Sequence, residues 1–400
     1  MGMALEGIRV LDWTAFQQGP TATCLLADLG AEVIHIEEPR GDPARGLLKV
    51  MGQDVPVNFY FQNHNRGKKS MVLDLRKEKG IEILYKLVEK SDVFVTNFLY
   101  RAARKLKADY ETLIQYNPKL IYAYSSGWGS KGPDAEKASF DLAGQARGGI
   151  MSLTRAEDGS PTPIGGGFAD EMGGVITAYG IMTALLVRER TGEGQFVEAS
   201  LLGAIIEAER FPLLAYLIAG HRFDLLPTSK QSSNPLWGLY KCSDGKWISC
   251  AMLQPDKMWS GFCKGLQIEH LEKDPRFENF QVRAQHNEEL LPIIKEKFLS
   301  KSRDEWLEIL NAQGCIVVPV NDLSEVAKDP QAWANGYIVE VDDPRYGKVK
   351  VPGIPVQFSK TPGKVRCLAP ELGQHTEEIL IDVLGYTWDD ITKLREENVF

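Results

Sequence analysis

One carboxylate, Asp170, stands in a glycine-rich stretch immediately before a long apolar helical pattern. Glycines at 165–167 precede it, and Gly173 and Gly174 follow, so a substrate could approach the backbone closely there. The pattern predicts Asp170 as the N-cap or first residue of the helix, where unpaired N–H groups and the helix dipole favour the ionised form. An ionised carboxylate in that position is a candidate nucleophile for acyl carbon. The alternative is that Asp170 only caps its helix, because Asp is a favoured N-cap residue.

A second group of candidates consists of cations and one amide in the loops that flank the predicted strands of the N-terminal part. In an acidic protein, cations gathered at one edge of a sheet suggest a ligand with several phosphates. For any single residue, a solvated loop charge is the simpler explanation, since loops lie on the surface. The residues are Arg40, Arg45, Arg66, Lys68, Lys69, Arg76, Asn97, Arg101, Arg104, Lys105, Lys131 and Lys137.

The elements that must position these residues alternate between short apolar runs and helical patterns. Strands are predicted at 8–12, 32–37, 71–75, 92–98, 120–125 and 196–200. This alternation predicts an α/β fold with a doubly wound parallel sheet, Rossmann-like, whose ligands bind at the carboxyl ends of the strands. A nicotinamide dinucleotide enzyme is disfavoured, because the first turn contains only Gly19 and lacks G-x-G-x-x-G, although Glu37 ends the second strand.

The chain is predicted to form two domains. Residues 1–220 form the large domain, 221–234 a linker, 235–340 a smaller α+β domain, and 341–400 a return to the large domain. A hairpin is predicted around the turn at Gly245. Its residues Trp237, Tyr240 and Trp247 could line an aromatic-tolerant pocket, and a hairpin core explains them equally well.

Composition excludes several classes of protein. The net charge of −8 over 400 residues argues against a nucleic-acid partner. The six cysteines form no C-x-x-C pair, so neither a zinc site nor a disulfide scaffold is suggested, and no metal is expected. There is no signal-peptide pattern and no apolar run of about 18 residues, so we expect no membrane association and a cytoplasmic protein.

Taken together, the motifs identify a resemblance to a known family. From end to end the chain resembles the class III coenzyme A transferases, the CaiB–BaiF group. The matching segments are 7–12 (GIRVLD), 18–20 (QGP), 29–37 (LGAEVIHIE), 66–70 (RGKKS), 73–75 (LDL), 97–98 (NF), 140–141 (FD), 169–170 (AD) and 188–195 (RERTGEGQ). The resemblance implies a homodimer or related heteromer with interlocked chains, and acyl-CoA and carboxylic acid substrates that react through aspartyl anhydride and aspartyl-CoA thioester intermediates.

Position by position, the resemblance makes Asp170 the catalytic aspartate. Lys105 stands where many family members have Arg, which keeps the charge but loses the planar fork. The glycine-rich loop of the formyl-transferring members is not visible, and residues 230–234 stand in its place. The positions implied to contact coenzyme A are Phe16, Gln17, Gln18, Arg40, Leu73, Arg76, Asn97, Phe98, Lys105 and Lys137.

Two alternatives share these motifs. A 2-methylacyl-CoA racemase needs two acid/base groups, and racemases of this family carry His where this chain has Phe140. The six histidines, none near Phe140 in sequence, are interpreted as ordinary surface or loop residues. A catalytically silent subunit of a heteromeric transferase is the second alternative, and Asp170 argues against it. Succinyl-CoA as donor and an aromatic or substituted dicarboxylic acid as acceptor are suggested only by analogy.

Overall fold

The computed structural model of the protein describes residues 2–156, 158–222 and 234–400. The chain divides into two compact units: a larger one from 1–154, 162–223 and 333–400, and a smaller one from 155–161 and 224–332. Most of the predicted linker 221–234 lies outside the described residues. The predicted boundary at residue 340 falls inside a strand of the larger unit, Ile338–Asp343.

The larger unit is built on a six-stranded sheet in which every pair of neighbouring strands is parallel. Its order, β3-β2-β1-β4-β5-β6, reverses direction between β1 and β4, which is where open α/β sheets bind ligands. The predicted parallel sheet is confirmed. The strands are β1 Arg9–Trp13, β2 Glu32–Glu37, β3 Lys69–Val72, β4 Val93–Thr96, β5 Ile121–Ser126 and β6 Phe196–Ser200.

Helices cover both faces of this sheet. Those before residue 110 are α1 Gln18–Asp28, α2 Leu47–Val50, α3 Phe59–Asn65, α4 Glu78–Glu89 and α5 Tyr100–Lys105. The next are α6 Tyr110–Leu113, α7 Asp141–Gly148, α8 Ile150–Leu153, α9 Phe168–Thr191, α10 Leu201–Ala208 and α11 Arg210–Ala219. No helix in the described part of the chain combines the length and apolar character needed to span a bilayer.

Successive residues of the buried strands contribute to two separate cores, because side chains alternate across a strand. Val10 and Val93 pack with α1 and α9 on one face, together with Ile181. Leu11 and Phe94 pack on the opposite face, with α4 and the C-terminal helices. Helices thus cover both faces of the sheet, and a ligand can approach it at the ends of the strands.

The smaller unit contains a three-stranded antiparallel sheet covered by helices. Tyr240 is buried in its core and stacks on Phe298, with ring centroids 4.5 Å apart, whereas Trp237 and Trp247 are half exposed. Alternation along the strands explains the difference, so of the three aromatics only Tyr240 belongs to the hairpin core. Its elements are β7 Trp237–Lys241, β8 Trp247–Ala251, α12 Pro255–Leu266, α13 Phe280–Gln285, α14 Asn287–Phe298, α15 Arg303–Ala312, β9 Val317–Val320 and α16 Leu323–Val326.

After α17 Pro330–Ala334, the chain completes the larger unit. A hairpin forms first, and the tail then covers the outer edge of β3. Ser70 N donates to His375 Nδ1 at 3.1 Å, and Val72 N donates to Thr376 Oγ1 at 3.0 Å. These side chains take the place of a further strand, so the sheet presents no open edge there. The elements are β10 Ile338–Asp343, β11 Gly347–Pro352, α18 Thr376–Glu378 and α19 Trp388–Glu396.

Candidate active site

Asp170 is the third residue of α9, and Gly167 is the N-cap, so the predicted N-cap or first position was wrong. Gly166 and Gly167 have φ of 80° and 72°, in the left-handed region that favours glycine. This turn starts the helix at Phe168, two residues before Asp170. The glycines therefore turn the chain into the helix, and the Asp170 side chain is not used as a cap.

The cap is supplied instead by Asp141 of α7. Its Oδ1 accepts from the backbone N–H groups of Ala169 at 2.7 Å and of Asp170 at 3.3 Å. Its Oδ2 accepts from Gln145 Nε2 at 2.8 Å, and the same amide makes two hydrogen bonds to the backbone of Ile164. The two N–H groups nearest to Asp170 are thus already occupied, so other groups must stabilise an oxyanion formed there.

The Asp170 carboxylate accepts no hydrogen bond from the part of the chain that the structure describes. Burial and the charges of Asp141 and Glu171 raise its pKa to about 7. The sequence suggests that the helix dipole favours the ionised form. Desolvation and two neighbouring carboxylates outweigh that effect, so the pKa of Asp170 lies far above the usual range of an aspartate.

Glu171, the next residue, is held by two partners. Its Oε1 accepts from Gln17 Nε2 at 3.0 Å and lies 3.0 Å from His64 Nε2. Burial alone would raise the pKa of Glu171, but the hydrogen bond and charge of His64 and the hydrogen bond from Gln17 lower it below its usual value. The two consecutive carboxyl groups therefore differ: Glu171 is ionised and contacts two polar side chains, whereas Asp170 accepts no hydrogen bond from the described residues.

The turn after β1 is held in a conformation that few side chains adopt. Phe16 has φ of 66°, and its N–H donates to Asp42 Oδ1 at 3.3 Å. Asn97, after β4, donates to the carbonyl oxygen of Ala15 at 2.8 Å and accepts from its N–H at 2.9 Å. These bonds from two other strand ends fix the turn that carries Phe16 and Gln17.

Helices α1 and α9 approach each other at two glycines. A Cβ on Gly173 would lie 2.7 Å from the Gln18 amide, and one on Gly174 would lie 2.6 Å from the Thr21 side chain. No larger residue fits either position without movement. This close approach places the start of α9, and Asp170 with it, against Gln17 and Gln18.

These elements enclose a cleft at the carboxyl ends of β4 and β5, here called the Asp170 cleft, with about 830 Å³ of empty space. It brings together seven predicted site residues: Phe16, Gln17, Gln18, Asn97, Phe98, Lys137 and Asp170. Lys137 is exposed and forms an ion pair with Asp134 at 2.5 Å. The carboxyl group in this cleft accepts no hydrogen bond from the described residues, so it is available for nucleophilic attack on an acyl group.

Phe140 occupies the position that a racemase would fill with histidine. Its side chain is 63% exposed and packs edge-on against Phe16, with ring centroids 5.8 Å apart. Because phenylalanine has no proton to exchange, this position supplies no second acid/base group.

A second cleft lies beside the first, at the carboxyl ends of β1, β2, β3 and β4, and is here called the β1–β4 cleft. It shares Ala15 and Phe98 with the Asp170 cleft, and Leu73 and Arg76 line it. Arg76 is largely exposed and forms a two-point ion pair with Asp74, at 2.7 and 2.9 Å. The two clefts together follow the edge where the sheet reverses its strand order.

Arg40 and Lys105 line neither cleft. Both are exposed, and neither side chain makes a hydrogen bond or ion pair with the residues that the structure describes. The four cations implied to contact coenzyme A are thus divided: Arg76 and Lys137 lie at the clefts but are paired with acids, whereas Arg40 and Lys105 lie apart from both clefts.

Two histidines that the sequence suggested were ordinary surface residues are buried, so that interpretation was wrong for them. His64 is 4% exposed and contacts Glu171; His35 is 1% exposed. His35 Nδ1 lies 3.2 Å from Asp12 Oδ2, and its Nε2 lies 3.7 Å from Asp42 Oδ2. The place of His35 in the apolar run 33–36 was the signal for burial that sequence reasoning passed over.

Comparison with known proteins identifies the family. The family model CoA-transferase family III matches residues 5–376. The chain is 32% identical to (R)-2-hydroxy-4-methylpentanoate CoA-transferase of Clostridioides difficile, with 99% of each chain covered. It is 33% identical to succinyl-CoA:glutarate CoA-transferase of Mus musculus, covering 98% of this chain and 88% of that one. A solved CAIB/BAIF family protein from Brucella suis matches with a TM-score of 0.85 and 31% identity, covering 96% of this chain and 100% of that one.

Proposed function

We propose that this chain, which belongs to CoA-transferase family III, moves coenzyme A from a donor acyl-CoA to a free carboxylic acid through covalent bonds to Asp170. Class III CoA-transferase activity follows from the family and its named relatives. The observation that carries the proposal for Asp170 is its place in the cleft. Of the carboxyl groups at the start of α9, it alone lines that cleft, and it accepts no hydrogen bond from the described residues.

The proposed reaction needs no net proton transfer. The Asp170 carboxylate attacks the thioester carbonyl, the C–S bond breaks, and a mixed anhydride and CoA thiolate form. The thiolate attacks the aspartyl carbonyl and releases the donor acid as carboxylate, leaving an aspartyl-CoA thioester. The acceptor carboxylate then displaces the thiolate and forms a second anhydride. Attack of the thiolate on the acceptor acyl carbon releases the new acyl-CoA and restores Asp170.

Coenzyme A is proposed to lie across the two adjoining clefts. Its pantetheine end would lie against Phe16, Gln17 and Gln18, with Asn97 and Phe98 between the clefts. The nucleotide end would contact Leu73 and Arg76 in the β1–β4 cleft. The cations proposed to bind phosphate are Arg40, Arg76, Lys105 and Lys137.

Binding must change the pairing of two of those cations. Arg76 and Lys137 are each paired with an acid close in sequence. Both cations are largely exposed, whereas the side chains of Asp74 and Asp134 are 9% and 17% exposed. Water screens the charges of exposed cations, so both ion pairs are weak and a phosphate can compete with the acid for each cation. Arg40 and Lys105 need no such exchange.

Succinyl-CoA is the proposed donor, because it appears in the names of related transferases such as the glutarate enzyme of Mus musculus. For the acceptor, the relatives named above act on a branched hydroxy acid and on a dicarboxylic acid. Both kinds belong in a panel of CoA donors and free acids, alongside aromatic and substituted dicarboxylic acids. Mass spectrometry of the acyl-CoA products would identify the pair that this chain uses.

Asp170→Ala is the decisive variant. We expect it to abolish transfer while CoA binding remains measurable, because the turn after β1 and the glycine contacts of α9 stay in place. Hydroxylamine added during turnover should trap Asp170 of the natural chain as a hydroxamate, located by peptide mass spectrometry. Near-normal turnover by the Ala variant would refute the proposal.

The outer face of α9 supports the proposal that two copies of the chain associate. Val175, Tyr179, Met182 and Leu186 recur at helical spacing and are 38–64% exposed. A contiguous apolar stripe of this kind marks an interaction surface. Light scattering on the chain expressed alone should give the mass of a dimer, and Tyr179→Glu should weaken it, with Arg190→Glu as control. A natural chain that is monomeric and inactive alone would favour a heteromer or a silent subunit.

A further inference from the structure

We propose that His64 and Glu171 form a positioning pair that sets how readily Asp170 reacts and that fixes the Gln17 amide against the start of α9. Neither residue is required to touch the acyl group. The proposal rests on Asp170 being the nucleophile, as proposed above, and it adds two residues for which the sequence motifs suggested no role.

His64 lies between two oxygen atoms. Nδ1 lies 2.7 Å from the carbonyl oxygen of Tyr60, and Nε2 lies 3.0 Å from Glu171 Oε1. The Tyr60 carbonyl oxygen only accepts hydrogen bonds, so Nδ1 carries hydrogen. In the proposed pair Nε2 also carries hydrogen and donates to Glu171, which makes the ring positively charged. Asn63 Nδ2 also lies 3.2 Å from Nε2. The positively charged ring therefore requires the Asn63 amide in its other orientation, with the oxygen toward Nε2.

Glu171 transmits this contact to Gln17. The Gln17 Nε2 donates to Glu171 Oε1 at 3.0 Å and to the carbonyl oxygen of Gly166 at 3.2 Å, so both of its N–H groups are used. The amide oxygen then faces the Tyr60 hydroxyl at 3.5 Å. A Cβ on Gly167 would lie 2.4 Å from the same amide. Gln17 is therefore held directly against the residues that begin the helix of Asp170.

The pair also acts on Asp170 through charge. The ionisable groups that face Asp170 are Asp141 from α7, Glu171 from its own helix and Tyr60 from α3. The negative charge of Glu171 disfavours ionised Asp170. The positive charge of His64 in the proposed pair, with Nε2 3.0 Å from Glu171 Oε1, is proposed to offset part of that effect. Removing Glu171 or His64 should therefore move the ionisation of Asp170 in opposite directions.

Two substitutions test this with little change of shape. Glu171→Gln keeps an acceptor for Gln17 but removes the negative charge, whereas His64→Gln keeps a donor for Glu171 but removes the positive charge. The titration midpoint of Asp170 would be followed by ¹³C NMR of labelled aspartate carboxyls in the full chain, with Asp170→Asn to assign the signal. We expect E171Q to lower the midpoint and H64Q to raise it, each by at least about 0.5 pH unit.

The same variants have a kinetic readout. The rate at which Asp170 is trapped by hydroxylamine with succinyl-CoA as donor should follow the titration, with about a threefold change on the acid side of the midpoint for a shift of about 0.5 unit. Adding E171Q to H64Q should return the midpoint to the natural value or below it. His286→Gln, which breaks a surface His–Glu pair at 2.9 Å in the smaller unit, is the matched control and should shift nothing.

The outcomes separate this proposal from the proposed function. Suppose that Asp170 is trapped in the natural chain, but its titration midpoint does not move in E171Q and H64Q or moves in the same direction in both. The positioning pair is then refuted and the function stands. If the natural chain gives no Asp170 adduct with any donor of the panel, the function is refuted, and the NMR titration still tests the pair. If H64Q fails to fold, E171Q alone decides, because its midpoint must fall.

Discussion

Replacing Asp170 by asparagine should stabilise the protein, and the gain in the free energy of unfolding over the natural chain should be larger at pH 8 than at pH 5. A carboxyl group whose pKa is raised on folding holds its proton more tightly in the folded state than in the unfolded state. The free energy of unfolding then falls by about 1.4 kcal/mol per pH unit between the two pKa values. For Asp170 that interval runs from 3.8 to about 7.

The full interval corresponds to about 4 kcal/mol, and because the Asp170 side chain is partly exposed, about 2 kcal/mol is the expected effect. The asparagine side chain of the variant cannot ionise and so avoids this loss. The advantage of Asp170→Asn should grow from pH 4 upwards and level off above pH 7. For a unit of this size, about 2 kcal/mol corresponds to a difference in Tm of about 4 °C.

Thermal unfolding of both proteins, at one scan rate and at each pH from 5 to 8, measures the effect. Asp343→Asn is the control. Hydrogen bonds from Arg345 lower the pKa of Asp343, so that carboxyl is ionised in both states across this range. Its difference in Tm from the natural chain should therefore stay constant with pH. If Tm changes with pH in the same way for Asp170→Asn and the natural chain, folding does not raise the pKa of Asp170, and the account of its reactivity is wrong.

Three further predictions concern residues around the site. Gly174→Ala should lower the free energy of unfolding by about 1–3 kcal/mol, because its Cβ would meet Thr21 at 2.6 Å. Chemical denaturation measures this, and Gly46→Ala, whose Cβ would meet nothing nearer than 3.9 Å, is the control. Asn97→Ala should weaken CoA binding measured by calorimetry while the fold is retained, because it removes the two hydrogen bonds from Asn97 to Ala15 in the turn after β1 and leaves the one to Asp42. Unchanged affinity would contradict this. Burial raises the pKa of Glu209 to about 7, so Glu209→Gln should gain stability over the natural chain between pH 5 and pH 8 in thermal unfolding, and a flat difference would show that the carboxyl is solvated.

Much of the larger unit could be predicted from the sequence because its strands are short apolar runs separated by helical patterns. The segment 32–37 was predicted with the bounds that the structure shows, and so was 196–200. Parallel pairing follows from the same alternation, and it places the polar residues after the strands at one edge. Phe16, Asn97 and Lys137 come from three different loops, and the fold brings them to one cleft.

What the sequence could not supply depends on contacts between distant segments. The position of Asp170 within its helix depends on the conformation of Gly166 and Gly167 and on a cap from Asp141, 29 residues earlier. Its raised pKa depends on burial, which periodicity does not quantify. The partner of His64 is 107 residues away in sequence, so no local pattern could identify it.

The contact of α9 with α1 through Gly173 and Gly174 restricts how this scaffold could acquire new substrates. At those points α9 contributes no side chain to the contact, and an added methyl group would meet the side chain of Gln18 or Thr21 in α1. Variation in acid preference must therefore arise in the loops that follow β4 and β5 and at exposed positions such as Phe140. Libraries aimed at altered selectivity should diversify those loops and leave the glycine pair untouched.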